Sequence, residues 1–232
     1  MTQTMTNIRF QQADLWDNNT DVPPLLPLPA GVFLLPGVAD SQALLAEVAQ
    51  IVLAAPFRHM AVGGGKLMSV AMTNCGGWGW TSTASGYQYT RKDPLSGVLG
   101  TPWPAMPAAF KQLASSCALR CGFAGFVPDA CLINRYIGEA HMGLHQDKDE
   151  RDFTQPIVSV SIGANAVFLL GGNHRKDKTQ SITLADGDVL VWGGVARLYF
   201  HGVRAPKALA SNSAATSGQV TERINLTFRR AR

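Results

Sequence analysis

The 232 residues are 46% hydrophobic and only 16% charged, which supplies a sizeable core and excludes global disorder; the length fits one large domain. A formal charge of +4 and a pI near 9.0 permit an anionic partner such as nucleic acid without requiring one. Cys75, Cys117, Cys121 and Cys131 have apolar flanks and no C-x-x-C spacing, so they read as reduced, mostly buried thiols of a cytoplasmic protein, not as a zinc site or a disulfide framework.

Residues 1–30 are polar and then proline-rich, ending in PPLLPLPAG, which predicts a flexible arm that packs late against a single domain spanning 31–232. Asp40 or Ser41 is a suitable N-cap for SQALLAEVAQIVLAA, where Leu44, Leu45, Val48, Ile51 and Val52 keep helical spacing until Pro56 stops it. A second helix is predicted from Pro107 to about Cys121, opened by proline and closed by Gly122. Nearly everything else reads as short strands between glycine-rich turns: KLMSVAMT, GYQYT, ACLINRY, PIVSVSIG, AVFLLGG, QSITL, DVLVWGG, RLYFHGV and ERINLTFR. Asp186-Gly187 is a hairpin signal, and KALASNSAATSGQVT (207–221) reads as a flexible loop. The pattern predicts a mainly β (α+β) chain with a double-stranded β-helix, or jelly-roll, core buttressed by helices of the N-terminal half. The chain opens on no cationic-then-apolar leader and contains no apolar run long enough to span a bilayer. A monomer with no membrane association is therefore expected.

Chemistry enters at LHQDKDE. His145 and Asp147 stand two apart, so on an extended chain both side chains project to one face and can reach one ion. His201 closes the predicted strand RLYFH, with Arg197 and Tyr199 on its face. Two imidazoles and one carboxylate on one side of an ion are the facial triad of non-haem iron(II) oxygenases. The bare His-x-Asp pattern is weak, arising by chance in roughly one such chain in four, and a strand histidine is commonly a hydrogen-bonded structural residue.

The last strand adds weight. Its period of two puts Arg223, Asn225, Thr227 and Arg229 on one face and Ile224, Leu226 and Phe228 on the other. Arginine forks bind carboxylates bidentately, and two of them suit a dicarboxylate; the alternative is a solvent-facing edge strand. In ACLINRY, Asn134 and Tyr136 form a second inward polar pair, read either as ligand contacts or as satisfied core residues.

Together these segments resemble the AlkB family of iron(II)- and 2-oxoglutarate-dependent nucleic-acid demethylases. The matching blocks are MSVAMTNCGGWGWTS, PDACLINRY, LHQDKDE, PIVSVSIG, GDVLVWGG with RLYFHG, and INLTFR, in the same order from about residue 56 onward. The resemblance implies iron held by His145, Asp147 and His201, and a 2-oxoglutarate site of Asn134, Tyr136, Arg223, Asn225 and Arg229. Arg223 then pairs with the distal carboxylate, and Arg229 lies nearer the metal end. It also implies that Trp80 and His145 sandwich the damaged base, that Tyr87 meets the backbone phosphate, that Asp149 lies by the exocyclic amine, and that Met72, Tyr89 and Arg175 line the same groove. Taken alone, Trp80 is equally a core tryptophan and Asp149 a solvated turn residue. Three positions depart from the family pattern: Ile224 replaces a tyrosine, and His141 and Gly143 replace a lysine and a serine. They bear on fine substrate contacts and leave the chemistry intact.

The implied reaction uses iron(II), 2-oxoglutarate and dioxygen to demethylate 1-methyladenine and 3-methylcytosine oxidatively in single- or double-stranded DNA, with RNA as a further substrate. Two rival readings are a 2-oxoglutarate oxygenase acting on a small molecule or protein, and a non-enzymatic jelly-roll binding module.

Overall fold

Period-two alternation decides where the layers of this molecule meet. The computed structural model describes residues 26–62, 64–83, 86–96, 100–206 and 222–232. In chain order the first elements are β1 Leu26–Pro27, β2 Val32–Leu35, α1 Ser41–Ala54, β3 Arg58–Ala61, β4 Leu67–Gly76, β5 Gly79–Thr83, β6 Gly86–Thr90, β7 Lys92–Asp93, β8 Thr101–Pro102 and α2 Ala108–Arg120. There follow β9 Ala130–Ile137, β10 Met142–His145, β11 Ile157–Gly163, β12 Ala166–Leu170, β13 Gln180–Leu184, β14 Val189–Trp192, β15 His201–Val203 and β16 Glu222–Arg229. The expected N-terminal arm lies outside the described residues up to position 25, as does the expected loop 207–221.

A large sheet runs β1-β2-β14-β11-β16-β9-β4-β3, and a smaller one runs β10-β15-β12-β13. The two helices cover one face of the large sheet. Leu44, Val48 and Ile51 of α1 and Phe110, Ala114 and Cys117 of α2 pack there against Val158, Val160 and Ile162 of β11 and Ile224, Leu226 and Phe228 of β16. The alternate residues of these strands turn the other way, toward the small sheet. The result is the predicted jelly-roll core buttressed by helices.

The helix ends follow their local chemistry. Asp40 is the N-cap of α1, its carboxylate accepting from the Ala43 N–H at 3.1 Å. Leu45, placed by spacing on the apolar stripe, is exposed. Gly122 follows α2 at φ +87°, the left-handed conformation that favours glycine after a helix.

Two sequence expectations are corrected. RLYFHGV is not one strand: a short 3₁₀ turn at Gly194–Ala196 runs into irregular backbone, and only His201–Val203 is extended. His201 therefore opens its strand instead of closing it, and Arg197 does not share its face. Asp186-Gly187 makes a turn but not a hairpin. β13 pairs with β12 in the small sheet, whereas β14, buried along its whole length, pairs with β11 and β2 in the large one. A fully apolar strand is accommodated in the interior of the large sheet, so the turn passes from one sheet to the other. The edge-strand alternative for β16 also falls, because it lies between β11 and β9 with its last seven residues buried.

Candidate active site

His145 ends β10 and His201 begins β15, and antiparallel register sets them directly opposite. Their rings meet with centroids 4.4 Å apart. The Asp147 carboxylate lies 3.7 Å from Nε2 of each, and one ligand atom from each of the three residues falls within 4.8 Å of the others. Nδ1 of His145 faces the Gly143 carbonyl at 2.9 Å, and Nδ1 of His201 faces the Tyr199 carbonyl at 3.0 Å. A carbonyl only accepts, so each Nδ1 donates there and each Nε2 is left facing the space shared with Asp147.

Burial pushes the Asp147 carboxyl up, but Arg229, His201 and His145 outweigh it and hold the group well below the usual carboxylate range. Burial, reinforced by His145, pushes His201 down to about 4. His201 thus presents a neutral imidazole nitrogen and Asp147 an ionised carboxylate at neutral pH, and two imidazoles with one carboxylate are a donor set that suits a divalent transition metal such as iron(II).

A cavity opens from this cluster into the space between the sheets. Met142, His145, Phe168, His201 and Val203 line it from the small sheet; Leu132, Asn134 and Tyr136 of β9 and Arg223, Asn225, Thr227 and Arg229 of β16 line it from the large one. Register explains the grouping, since Arg223 stands opposite Tyr136 and Asn225 opposite Asn134. Asn225 is saturated. Its amide nitrogen donates to Ser159 Oγ and the Val160 carbonyl at 2.7 and 2.9 Å, and its oxygen accepts from Thr227 at 2.8 Å and Asn134 at 3.3 Å.

Arg223 is not saturated. It is 1% exposed, donates from Nη2 to Ser161 Oγ at 2.9 Å, and lies over the Tyr136 ring at 5.1 Å. Its Nε and Nη1 have no hydrogen-bond partner, nor does the nearby Asn134 Oδ1. A buried guanidinium left this way costs several kcal/mol, and a carboxylate is the complement of such a fork. The residues present therefore fit both groups: the triad fits iron(II), and Arg223 fits the far end of a dicarboxylate.

Arg229 contrasts with it. Its Nε and Nη2 donate to Asp147 Oδ2 at 3.1 and 2.7 Å, so it orients the triad carboxylate. Arg197, which the sequence placed on the face of His201, and Glu150, which it did not single out, brace the same segment. Arg197 donates to the Asp147 carbonyl at 2.7 Å, to Glu150 Oε2 at 2.9 Å and to the Gln155 carbonyl at 3.0 Å. The other Glu150 oxygen accepts from the Tyr89 hydroxyl at 2.6 Å. Glu150 is 6% exposed although it belongs to the charged run DKDE.

Trp80, Tyr87 and Asp149 come together. The Trp80 indole donates to Asp149 Oδ2 at 2.8 Å, and the Tyr87 ring stacks on Trp80 with centroids 5.4 Å apart at 20°. Asn74, another residue the sequence did not single out, clamps the Trp80 backbone with two 2.9 Å hydrogen bonds. Met72 is fully buried beside Tyr136 and Leu132 in the packing between the sheets. Arg175 lies over the Phe200 ring at 5.3 Å. Among the described residues, no hydrogen bond or ring contact ties Met72 or Arg175 to Trp80, or Trp80 to His145.

Comparison with known proteins agrees with this arrangement. Residues 31–229 match the model of the 2OG-Fe(II) oxygenase superfamily. The chain is 47% identical over 207 residues to the alpha-ketoglutarate-dependent dioxygenase AlkB of Salmonella typhimurium, covering 88% of this chain and 92% of that one. It is 38% identical over 180 residues to the DNA N(6)-methyladenine demethylase ALKBH1C of Arabidopsis thaliana, covering 67% of this chain and 38% of that one. The solved structure of OsALKBH1 superposes with a TM-score of 0.72 at 28% identity, covering 89% of this chain and all of that one.

Proposed function

The chain belongs to the 2OG-Fe(II) oxygenase superfamily, and we propose from this membership and from its site that it demethylates alkylated nucleic-acid bases oxidatively. When bound, iron(II) and 2-oxoglutarate supply the oxidising chemistry: of the two atoms of dioxygen, one enters succinate as carbon dioxide leaves, and the other enters a C–H bond of the N-methyl group, which departs as formaldehyde. The observation that carries the reading is Arg223, a buried and incompletely bonded guanidinium in the same cavity as a His-Asp-His cluster.

In this reading His145, Asp147 and His201 hold the iron. Arg223 takes the distal carboxylate of 2-oxoglutarate, with Tyr136, Asn134 and Asn225 around it. Arg229 keeps Asp147 ionised and oriented and faces the metal end. The pocket walls exclude water from the reacting methyl group. Trp80 and His145 take the base between them with Asp149 by its exocyclic amine, and Tyr87 meets the backbone phosphate. An aromatic face and a carboxylate favour cationic 1-methyladenine and 3-methylcytosine over neutral bases. Tyr89 and Arg175 lie along the same groove, and Met72 contributes packing between the sheets. A base inside a stack cannot reach such a cavity, so single strands and flipped, poorly paired nucleotides of DNA or RNA are the preferred substrates. Among the described residues no helix is long and apolar enough to cross a membrane, and all four cysteines are free and buried. A monomeric cytoplasmic protein is part of the same proposal.

The test incubates the protein with iron(II), 2-oxoglutarate, oxygen and a 1-methyladenine oligonucleotide, and measures succinate and formaldehyde. Equimolar release of both, abolished in Asp147→Ala together with iron binding, is the expected result. Succinate without formaldehyde transfers the protein to the small-molecule or protein oxygenases, and iron content unchanged in Asp147→Ala removes the triad assignment.

A further inference from the structure

Two arginines converge on one indole beside this site, that of Trp78. Trp78 lies two residues before Trp80, between β4 and β5, where its backbone bridges Ala130. It is half-buried against Tyr89, Ala130 and Ala231. The Arg91 guanidinium sits 4.7 Å from the centre of its ring and the Arg232 guanidinium 5.4 Å. Among the described residues neither arginine forms an ion pair with a side-chain carboxylate. The acids nearby are already committed. Both Asp129 oxygens accept from the backbone N–H groups of Ala231 and Arg232, at 2.6 and 3.1 Å, and Asp149 holds the Trp80 indole. Arg151, hydrogen-bonded through its backbone to Ala231, is exposed and adds positive charge, whereas the exposed Arg230 is near enough to the Asp152 carboxylate to add to the Thr154 hydrogen bonds that lower its pKa.

Two guanidinium groups drawn onto one indole repel each other, and an anion between or beside them relieves that repulsion. An indole face flanked by cations is also the combination that binds single strands, stacking a base while neutralising its phosphate. The patch is continuous with the base pocket proposed above: Arg232 Nη1 donates to the Asp149 carbonyl at 3.0 Å, and its guanidinium lies 5.3 Å from the centre of the Tyr89 ring. We propose that Trp78, Arg91 and Arg232 form a subsite for a nucleotide flanking the damaged base in a single strand. The subsite rests on the demethylase reading for its role, but its binding of an unmodified strand does not.

The test uses Arg91→Glu and Trp78→Leu, with an unmodified 12-nucleotide single strand as the binding probe and a 1-methyladenine nucleoside monophosphate as the minimal substrate. Each variant is expected to bind the 12-mer about tenfold more weakly. Arg91→Glu should also flatten the dependence of log affinity on log salt by about 0.7. With a methylated 12-mer KM rises while kcat holds, and turnover of the mononucleotide is unchanged. Arg91 is exposed, so its variant keeps the test decisive if Trp78→Leu lowers stability. Affinity and salt slope equal to wild type in Arg91→Glu overturn the subsite, as does a parallel fall in mononucleotide turnover. If the wild type binds the 12-mer through Trp78 yet releases no formaldehyde from any methylated substrate, the subsite stands and the demethylase reading falls.

Discussion

The two faces of β16 are both buried, yet they solve opposite problems. Ile224, Leu226 and Phe228 fill space against the helices, and Phe228 meets Phe110 edge to face with centroids 5.7 Å apart. One residue out of phase, Arg223, Asn225, Thr227 and Arg229 face a cavity and carry more polar groups than the protein itself satisfies. A strand that served stability alone would be apolar on both sides, as β14 is. The first face stabilises the fold, and the second leaves Nε and Nη1 of the buried Arg223 without a partner in the protein.

Substitutions on the two faces should therefore separate stability from binding. The largest stability effect belongs to the apolar side: Phe228→Ala, by removing a fully buried ring, should cost about 3–5 kcal/mol in urea unfolding. The protein that remains folded should still bind 2-oxoglutarate, and a collapse of binding alongside stability would show that the two faces are not independent. Arg223→Met should do the reverse. Replacing an incompletely bonded buried charge with an apolar chain of similar reach should leave the apo protein unchanged or raise its stability by about 1–4 kcal/mol. The wild type should gain about 2.7 kcal/mol at 2-oxoglutarate one hundred times its Kd, and the variant should gain almost nothing. Thermal melts of both proteins with and without the cosubstrate measure this, and an equal shift in both would remove Arg223 from the carboxylate site.

How far this contrast is legible in the sequence follows from its physical origin. The alternation in ERINLTFRR is a local property of an extended chain, so the residue order alone tells which side chains of β16 share a face. Helix ends are readable for the same reason, through Asp40, Pro56, Pro107 and Gly122. What escapes the sequence is non-local. RLYFH alternates like a strand, but Arg197 is drawn away to Glu150 and the Asp147 carbonyl, and no pattern within seven residues announces a partner 47 positions distant. Glu150 resembles part of a solvated run because its burial depends on Tyr89 and Arg197 arriving from other segments. The Asp186-Gly187 turn is visible, whereas the change of sheet across it is not, because pairing partners are set by the whole fold.

The smallest expected effect lies on the apolar face, where the contrast predicts chemical silence. Cys117 and Cys121 stand on α2 and at its end, and Cys75 and Cys131 are register partners across β4 and β9; all four belong to the core under the helices. Burial pushes the Cys117 thiol up to about 11 and the Cys121 thiol up to about 12, with the Arg120 charge opposing in both cases. Burial likewise raises Cys131, and its hydrogen bond with Cys75 adds to the rise. At pH 8 the thiolate fraction of Cys117 is then roughly a thousandth. Iodoacetamide should leave the native protein unmodified over an hour at that pH, with or without iron and 2-oxoglutarate, and all four thiols should become reactive in one step across the urea transition. Mass spectrometry of the alkylated protein reads the outcome. A single cysteine modified well before unfolding would mean that the packed side of the sheet opens locally, and the division between a rigid apolar face and a ligand-dependent polar one would have to be redrawn around that residue.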